Sequence, residues 1–374
     1  MPLLILLCSV VLYCSCNTNY NARFENLDAL TWQEDSNRYA ANFAIQHQAA
    51  HTRILVFKDP SRKDTIGKLY SGSFTHIPLD YVLLNGQKLA CLSSVYAGFV
   101  DAISAGKQIG YVDETDFIYS KRLRNLIDSG DIVECGTEND LNFEILTQKK
   151  PLVFTYEVDG ASNTVIDRLK KLQIPYLVCN DFREQHPLGR AEWLKVFGVI
   201  CNQQQAATQL FDEIVEHYES TVYFCEENIK NKPTVFSGAM FGGNWNVSGG
   251  KTFIAQFINH AGGIYVFDKD NIEGNKLMTF ENFYIRCKDA DIWLNPNHYH
   301  SLQEIKTEDN RYALFKAFKT KRVYNNNKQM NDFGGNAYWE MGVVRPDIVL
   351  KDLLICMHPY FFENEKPVFY THLD

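Results

Sequence analysis

The sequence predicts an α/β protein of two lobes, each a mostly parallel sheet covered by helices, joined by one long α-helix. Three observations carry this. From Lys88 onward short apolar strands alternate with helical stretches, the pattern of a parallel sheet buried on both faces. The alternation stops at Pro187, gives way to one long amphipathic stretch, and restarts at Thr234. A chain of 374 residues, 45% hydrophobic, is also long enough to build two such lobes.

The chain opens on an apolar run, Leu3 to Tyr13, too short to cross a bilayer but suited to a signal-peptide core. The run ends in Cys14-Ser15-Cys16, followed at once by polar Asn17-Thr18-Asn19. This resembles a bacterial lipobox, with Cys16 the expected lipidation site and Cys14 the alternative. Residues 1–16 are therefore assigned to a signal peptide with lipobox and 17–38 to a polar tether. The expected location is the periplasmic side of the cell envelope, lipid-anchored to the membrane. The seven later cysteines, Cys91, Cys135, Cys179, Cys201, Cys225, Cys287 and Cys356, are odd in number and show no CxxC spacing. A metal cluster is not expected on this spacing, and Cys91, Cys135 and Cys179 fall in strand-like apolar runs, where a free cysteine acts as a small buried hydrophobe.

The N-terminal lobe is assigned to 39–186. Its first part reads as β structure, including Arg53-Ile54-Leu55-Val56-Phe57 stopped by Asp59-Pro60. Strands follow at Lys88–Leu92, Ile109–Val112, Ile132–Cys135, Leu152–Tyr156 and Tyr176–Cys179, with helical stretches between them. Residues 187–231 form the linker: a short helix, then a stretch with apolar residues at Ala207, Leu210, Phe211, Ile214, Tyr218 and Val222. That spacing predicts a helix of about twenty residues, on the order of 30 Å long. The C-terminal lobe, 232–374, begins with the strand Thr234–Ser237 and ends in a helix opened by Pro346, a residue tolerated in a first turn. Both lobes carry a matching element: Asn142-Phe143-Glu144 and Thr279-Phe280-Glu281 each start a helix with a glutamate where the dipole favours it.

A net charge of −8 without clustered basic residues excludes a nucleic-acid partner. No GxSxG elbow, HExxH or phosphate loop nominates an enzyme. His298-Tyr299-His300 is too small a set for a metal site.

Four stretches in a fixed order then resemble a known family. They are Leu92-Ser93-Ser94 with Ile109-Gly110-Tyr111-Val112; Pro187-Leu188-Gly189-Arg190-Ala191-Glu192-Trp193; Gly243-Asn244-Trp245-Asn246-Val247-Ser248-Gly249-Gly250 with Ala261-Gly262-Gly263; and Val344-Arg345-Pro346-Asp347 through His358-Pro359. The resemblance, spanning roughly Tyr39 to Pro359, is to the helical-backbone (class III, chelatase-like) periplasmic binding proteins of iron-siderophore and vitamin B12 ABC transporters. It implies a monomer without a cofactor that captures a ferric siderophore or a cobalamin between its lobes. Its partners would be an ABC permease and ATPase, and Glu144 and Glu281 would dock the permease.

A chelate needs aromatic faces and a few orienting polar groups, on loops at the carboxyl ends of parallel strands. Met240, Phe241 and Trp245 lie in one such loop, Tyr338 and Trp339 in another, and Tyr96 and Tyr156 follow strands of the first lobe. Arg190, Glu192 and Trp193 read as lobe-joining structure. Few arginines fall in these loops, which favours a large neutral or amphipathic chelate, including a corrinoid. An exported hydrolase on a similar scaffold and a permease-independent corrinoid or haem scavenger are the alternatives.

Overall fold

The computed structural model describes residues 30–72, 80–137, 140–157, 163–270 and 274–374. Cys16, the signal peptide and most of the tether lie outside the described residues. The end of the tether differs from expectation. Gln33–Glu34 is a strand, paired antiparallel with Phe43–Gln48, so this stretch belongs to the folded protein.

The chain enters through a five-stranded sheet in sequential order: Gln33–Glu34, Phe43–Gln48, His51–Phe57, Thr65–Ser71 and Val82–Leu83. Two buried carboxylates fix this sheet to the rest. Glu192 accepts the backbone N–H groups of Arg38, Tyr39 and Ala40 at 2.8–3.1 Å and pairs with Lys195 at 2.7 Å. Glu184 accepts those of Ala41 and Asn42 and the Trp193 indole N–H at 2.9–3.1 Å. The linker motif is thus structural: its acid and its tryptophan hold the point where the chain enters.

The first lobe's sheet is parallel throughout, in the order Tyr176–Val178, Leu152–Thr155, Leu89–Cys91, Ile109–Val112 and Val133–Glu134. The second runs Ile264–Tyr265, Thr234–Ser237, Ile292–Leu294, Val323–Asn325 and Thr371–His372, parallel except for the last strand. The expected α/β lobes are both present. Between them, Pro187–Glu192 and Leu194–Ile200 form two short helices where one was expected, and Gln204–Asn228 forms the long one, 25 residues or about 37 Å. Gly198 lets this helix approach closely, since a Cβ there would lie 2.6 Å from that of Ala207. Among the described residues no helix is long and apolar enough to cross a membrane.

The second lobe also holds a sheet that the sequence reading missed. Met240–Phe241, Asn244–Ser248 and Asn275–Met278 form three antiparallel strands. Residues 240–245 are therefore a tight hairpin and not a loop. Gly242 and Gly243 both have positive φ, 58° and 81°, the mirror-image turn that matches strand twist.

Candidate functional site

Sheet topology locates the site before any side chain is considered. In doubly wound sheets ligands bind outside the carboxyl ends of the strands, where strand order reverses direction. In the first lobe that point lies between Leu89–Cys91 and Leu152–Thr155; in the second, between Thr234–Ser237 and Ile292–Leu294. The two carboxyl ends face each other. Residues 115–120, which follow the strand Ile109–Val112, are bonded to the segment that follows Val323–Asn325. Asn331 Nδ2 donates to the Asp116 and Ile118 carbonyls at 3.0 Å. The Glu340 carboxylate accepts from the backbone N–H groups of Tyr119 at 2.6 Å and Ser120 at 2.8 Å. Gly98 admits the Glu340 carbonyl, which a Cβ would meet at 2.0 Å. Burial pushes the Glu340 carboxyl up to about 7, against the pull of these two donors.

The floor of the cleft is closed. Arg190 is bonded to Asp181 at 2.8 Å and lies over the Phe253 ring at 4.7 Å, joining the first lobe, the linker and the second lobe. The cavity beside it, lined also by Tyr338 and Val343, holds about 10 Å³, room for one water at most.

The expected contact residues divide on this frame. Trp245 is corrected: it is fully buried at 0% exposure. Its ring stacks on Phe283 at 3.8 Å, touches Phe236, Trp293, Tyr312 and Phe315, and its N–H donates to the Ser237 carbonyl at 3.0 Å. The cause is strand alternation: Trp245 and Val247 point inward, while Asn246 points out. Tyr96 is likewise corrected to a core residue, 3% exposed and packed on Phe154 and Phe197. Met240 is half-buried, its N–H bonded to the Tyr312 hydroxyl at 3.1 Å. Tyr338 packs among Trp339, Phe369 and Tyr370, with only part of its ring reaching the small cavity. Tyr156 at 37%, Trp339 at 49% and Phe241 at 83% exposure are open. One follows a first-lobe strand at its carboxyl end and two follow second-lobe strands.

Other residues at these ends went unnoticed in the sequence. Asp181-Phe182-Arg183 follows the strand Tyr176–Val178, with the Arg183 guanidinium 5.3 Å from the Phe182 ring and bonded to the Glu157 carbonyl at 3.2 Å. In the second lobe Phe333 is exposed, with the first lobe's Arg124 guanidinium over it at 5.3 Å. Phe182 and Arg183 could have been found by extending the strand-end rule past Cys179. The Arg124–Phe333 contact joins positions 209 apart in sequence, and no local pattern announces it. Arg183 and Arg124 thus lie beside exposed rings near loops in which few arginines were expected.

His298 and His300 gather no further ligands, and among the described residues no group of three or more His, Cys, Asp or Glu side chains is placed to hold a metal ion. The seven cysteines are buried, and none is paired in a disulfide among the described residues. Glu144 and Glu281 are both exposed, in matching settings. Asn142 caps one helix and Thr279 the other, while an arginine lies over the adjacent phenylalanine: Arg168 on Phe143 at 4.1 Å and Arg311 on Phe280 at 4.3 Å.

The model of the family described as "Periplasmic binding protein" matches residues 89–330, which contain most of both sheets and the whole linker. The chain belongs to the periplasmic binding protein family. It is accordingly a substrate-binding protein and not an enzyme. An uncharacterized lipoprotein of Methanocaldococcus jannaschii is 26% identical over 306 residues, 79% of this chain and 69% of the relative. Among solved structures, an ABC transporter substrate-binding protein from Listeria monocytogenes matches with a TM-score of 0.55 at 17% identity, over 73% of this chain and 99% of that one. A periplasmic heme-binding protein from Pseudomonas aeruginosa matches with a TM-score of 0.57 at 15% identity, over 77% and 98%. At such identities these two structures establish the periplasmic binding protein's fold alone.

Proposed function

We propose that this protein is the exported, membrane-anchored receptor of an ABC importer, and that it binds an anionic iron chelate, of the haem or ferric-siderophore type, between its lobes. One observation carries the ligand class. The facing strand ends expose aromatic side chains beside guanidinium groups: Tyr156, Phe182 and Arg183 on one side, and Phe241, Trp339 and Phe333 on the other, with Arg124 reaching Phe333. Flat aromatic faces suit the organic ligand, and planar cations pair with its carboxylate or catecholate oxygens. The heme-binding and ABC-transporter roles of the two solved proteins support the reading, as does the lipoprotein character of the relative. In it Cys16 carries the lipid, and Glu144 and Glu281 contact basic groups of a permease dimer, guiding the encounter more than adding affinity.

The test is a fluorescence titration of the soluble domain with haem, several ferric siderophores and cobalamins. In this reading Trp339, 49% exposed, faces the cleft, so a bound chromophore quenches it by energy transfer. Saturable quenching by one anionic iron chelate is the expected result. Saturation by cobalamin alone would move the ligand to the corrinoids, and no saturation by any chelate would overturn the ligand class.

A further inference from the structure

A second pocket lies where the N-terminal segment, the linker and the second lobe meet. It encloses about 270 Å³. The long helix gives it one wall, with Tyr218, Val222 and Glu226 in line at four-residue spacing and Glu219 and Tyr223 beside them. Tyr39 and His186 form the opposite wall, their rings 4.9 Å apart, and His260 from the end of helix Phe253–His260 closes the second-lobe side, 5.5 Å from His186.

The walls are aromatic and the charge is negative. Tyr39 donates its hydroxyl hydrogen to Glu219. Tyr218 is buried, with its hydroxyl 2.9 Å from His260 Nδ1. No lysine or arginine lines the pocket, and no ion pair to Glu219 or Glu226 is found among the described residues. The histidines do not offset the two glutamates at neutral pH: burial chiefly, and then His260, pushes His186 down to about 4, and burial lowers His260 as well. Nor does His186 offer itself to a metal. The Leu188 backbone N–H donates to its Nδ1 at 3.0 Å, so the neutral ring carries its proton on Nε2. An aromatic recess with two unneutralised carboxylates at its rim has the chemistry of an ammonium cage.

We propose that this pocket is a second ligand site, taking a small organic cation of the quaternary or primary ammonium class, independent of the cleft and its chelate. The test is isothermal titration and thermal unfolding of the full soluble chain with choline chloride at fixed ionic strength, beside choline's uncharged tert-butyl analogue. Choline should bind saturably and raise Tm, and the analogue should do neither. Glu226→Gln and Tyr223→Ala, both at exposed positions that hold no part of the core, should each lower choline affinity about tenfold. Equal binding of the neutral analogue would make the pocket merely apolar, and no saturable binding of the cation would remove the site. Binding of zinc chloride that is lost in His186→Ala, without binding of choline, would replace the cage by a metal site and overturn the proposal.

Discussion

Trp245 and Phe241 stand on one hairpin with opposite exposures, so substituting each separates packing from recognition. Trp245→Ala removes an indole that is wholly buried against five other rings. A side chain of that size buries about 200 Å², and at about 25 cal/mol per Å² its loss costs some 4–5 kcal/mol, in the range measured for tryptophan truncations in cores. The Ser237 carbonyl loses its 3.0 Å donor as well, which adds on the order of 1 kcal/mol. The expected fall in Tm is about 7–8 °C. Phe241→Ala acts on a side chain 83% exposed, so its effect on stability should stay within about 0.5 kcal/mol. Loss of its stacked face should instead weaken chelate binding by about 1–2 kcal/mol, about fivefold to thirtyfold. Thermal unfolding by circular dichroism, with the quenching titration on each variant, reads both quantities. A Trp245→Ala protein that melts with the parent yet loses the chelate would refute the assignment, because it would place the indole on the ligand and not in the core.

Three further substitutions test the lobe contact and the docking surface. The Glu340 carboxyl, raised to about 7 chiefly by burial from an ordinary 4.5, holds a proton in the fold that the unfolded chain gives up at lower pH. Its contribution is therefore full below about 4.5 and falls as pH rises towards 7, by at most about 3 kcal/mol. Glu184, Asp113 and Asp352 are raised in the same way and add to the slope, so the comparison is between the parent and Glu340→Gln. Urea unfolding at pH 5 and pH 8 should show a smaller loss of stability in the variant, and an equal loss in both proteins would contradict the role given to this carboxyl. For docking, Glu144→Ala and Glu281→Ala should leave chelate affinity and Tm unchanged while lowering the rate of association with the permease and its salt dependence. Unaltered association in the double variant would remove both residues from that surface.

How much was legible follows from the range of each signal. Parallel strands buried on both faces announce themselves as short apolar runs, so Ile109–Val112 and Thr234–Ser237 stand where the sequence put them. The long helix is readable because its buried residues repeat at helical spacing. The site was harder. Asn244-Trp245-Asn246-Val247-Ser248 alternates polar and apolar, and with Gly242-Gly243 before it this marks a hairpin; treating the stretch as a loop sent Trp245 to the wrong face. Glu340 could not be assigned at all, since its partners at Tyr119 and Ser120 lie more than 200 positions away and a carboxylate accepting backbone N–H groups leaves no periodic trace.

These contacts also bear on where ligand discrimination can reside. The long helix packs against Leu194–Ile200 and against Pro346–Met357, Arg190 spans from Asp181 to Phe253, and Glu340 and Asn331 tie the segment after Val323–Asn325 to the opposite strand ends. A wide hinge opening would have to break a buried carboxylate's bonds and strip packed apolar surface together, each a cost of several kcal/mol. Small excursions cost far less, so the lobes present one nearly fixed pair of faces to whatever enters. With the floor filled by Arg190, Phe253 and Tyr338, the proposed chelate would be read by exposed side chains at the mouth. Tyr156, Phe241 and Trp339 are exposed there, and Arg183 and Arg124 sit beside exposed rings. Substituting Tyr156, Phe241 or Trp339 should therefore change which chelate is held while leaving the lobe contacts, and so the global stability, as they are.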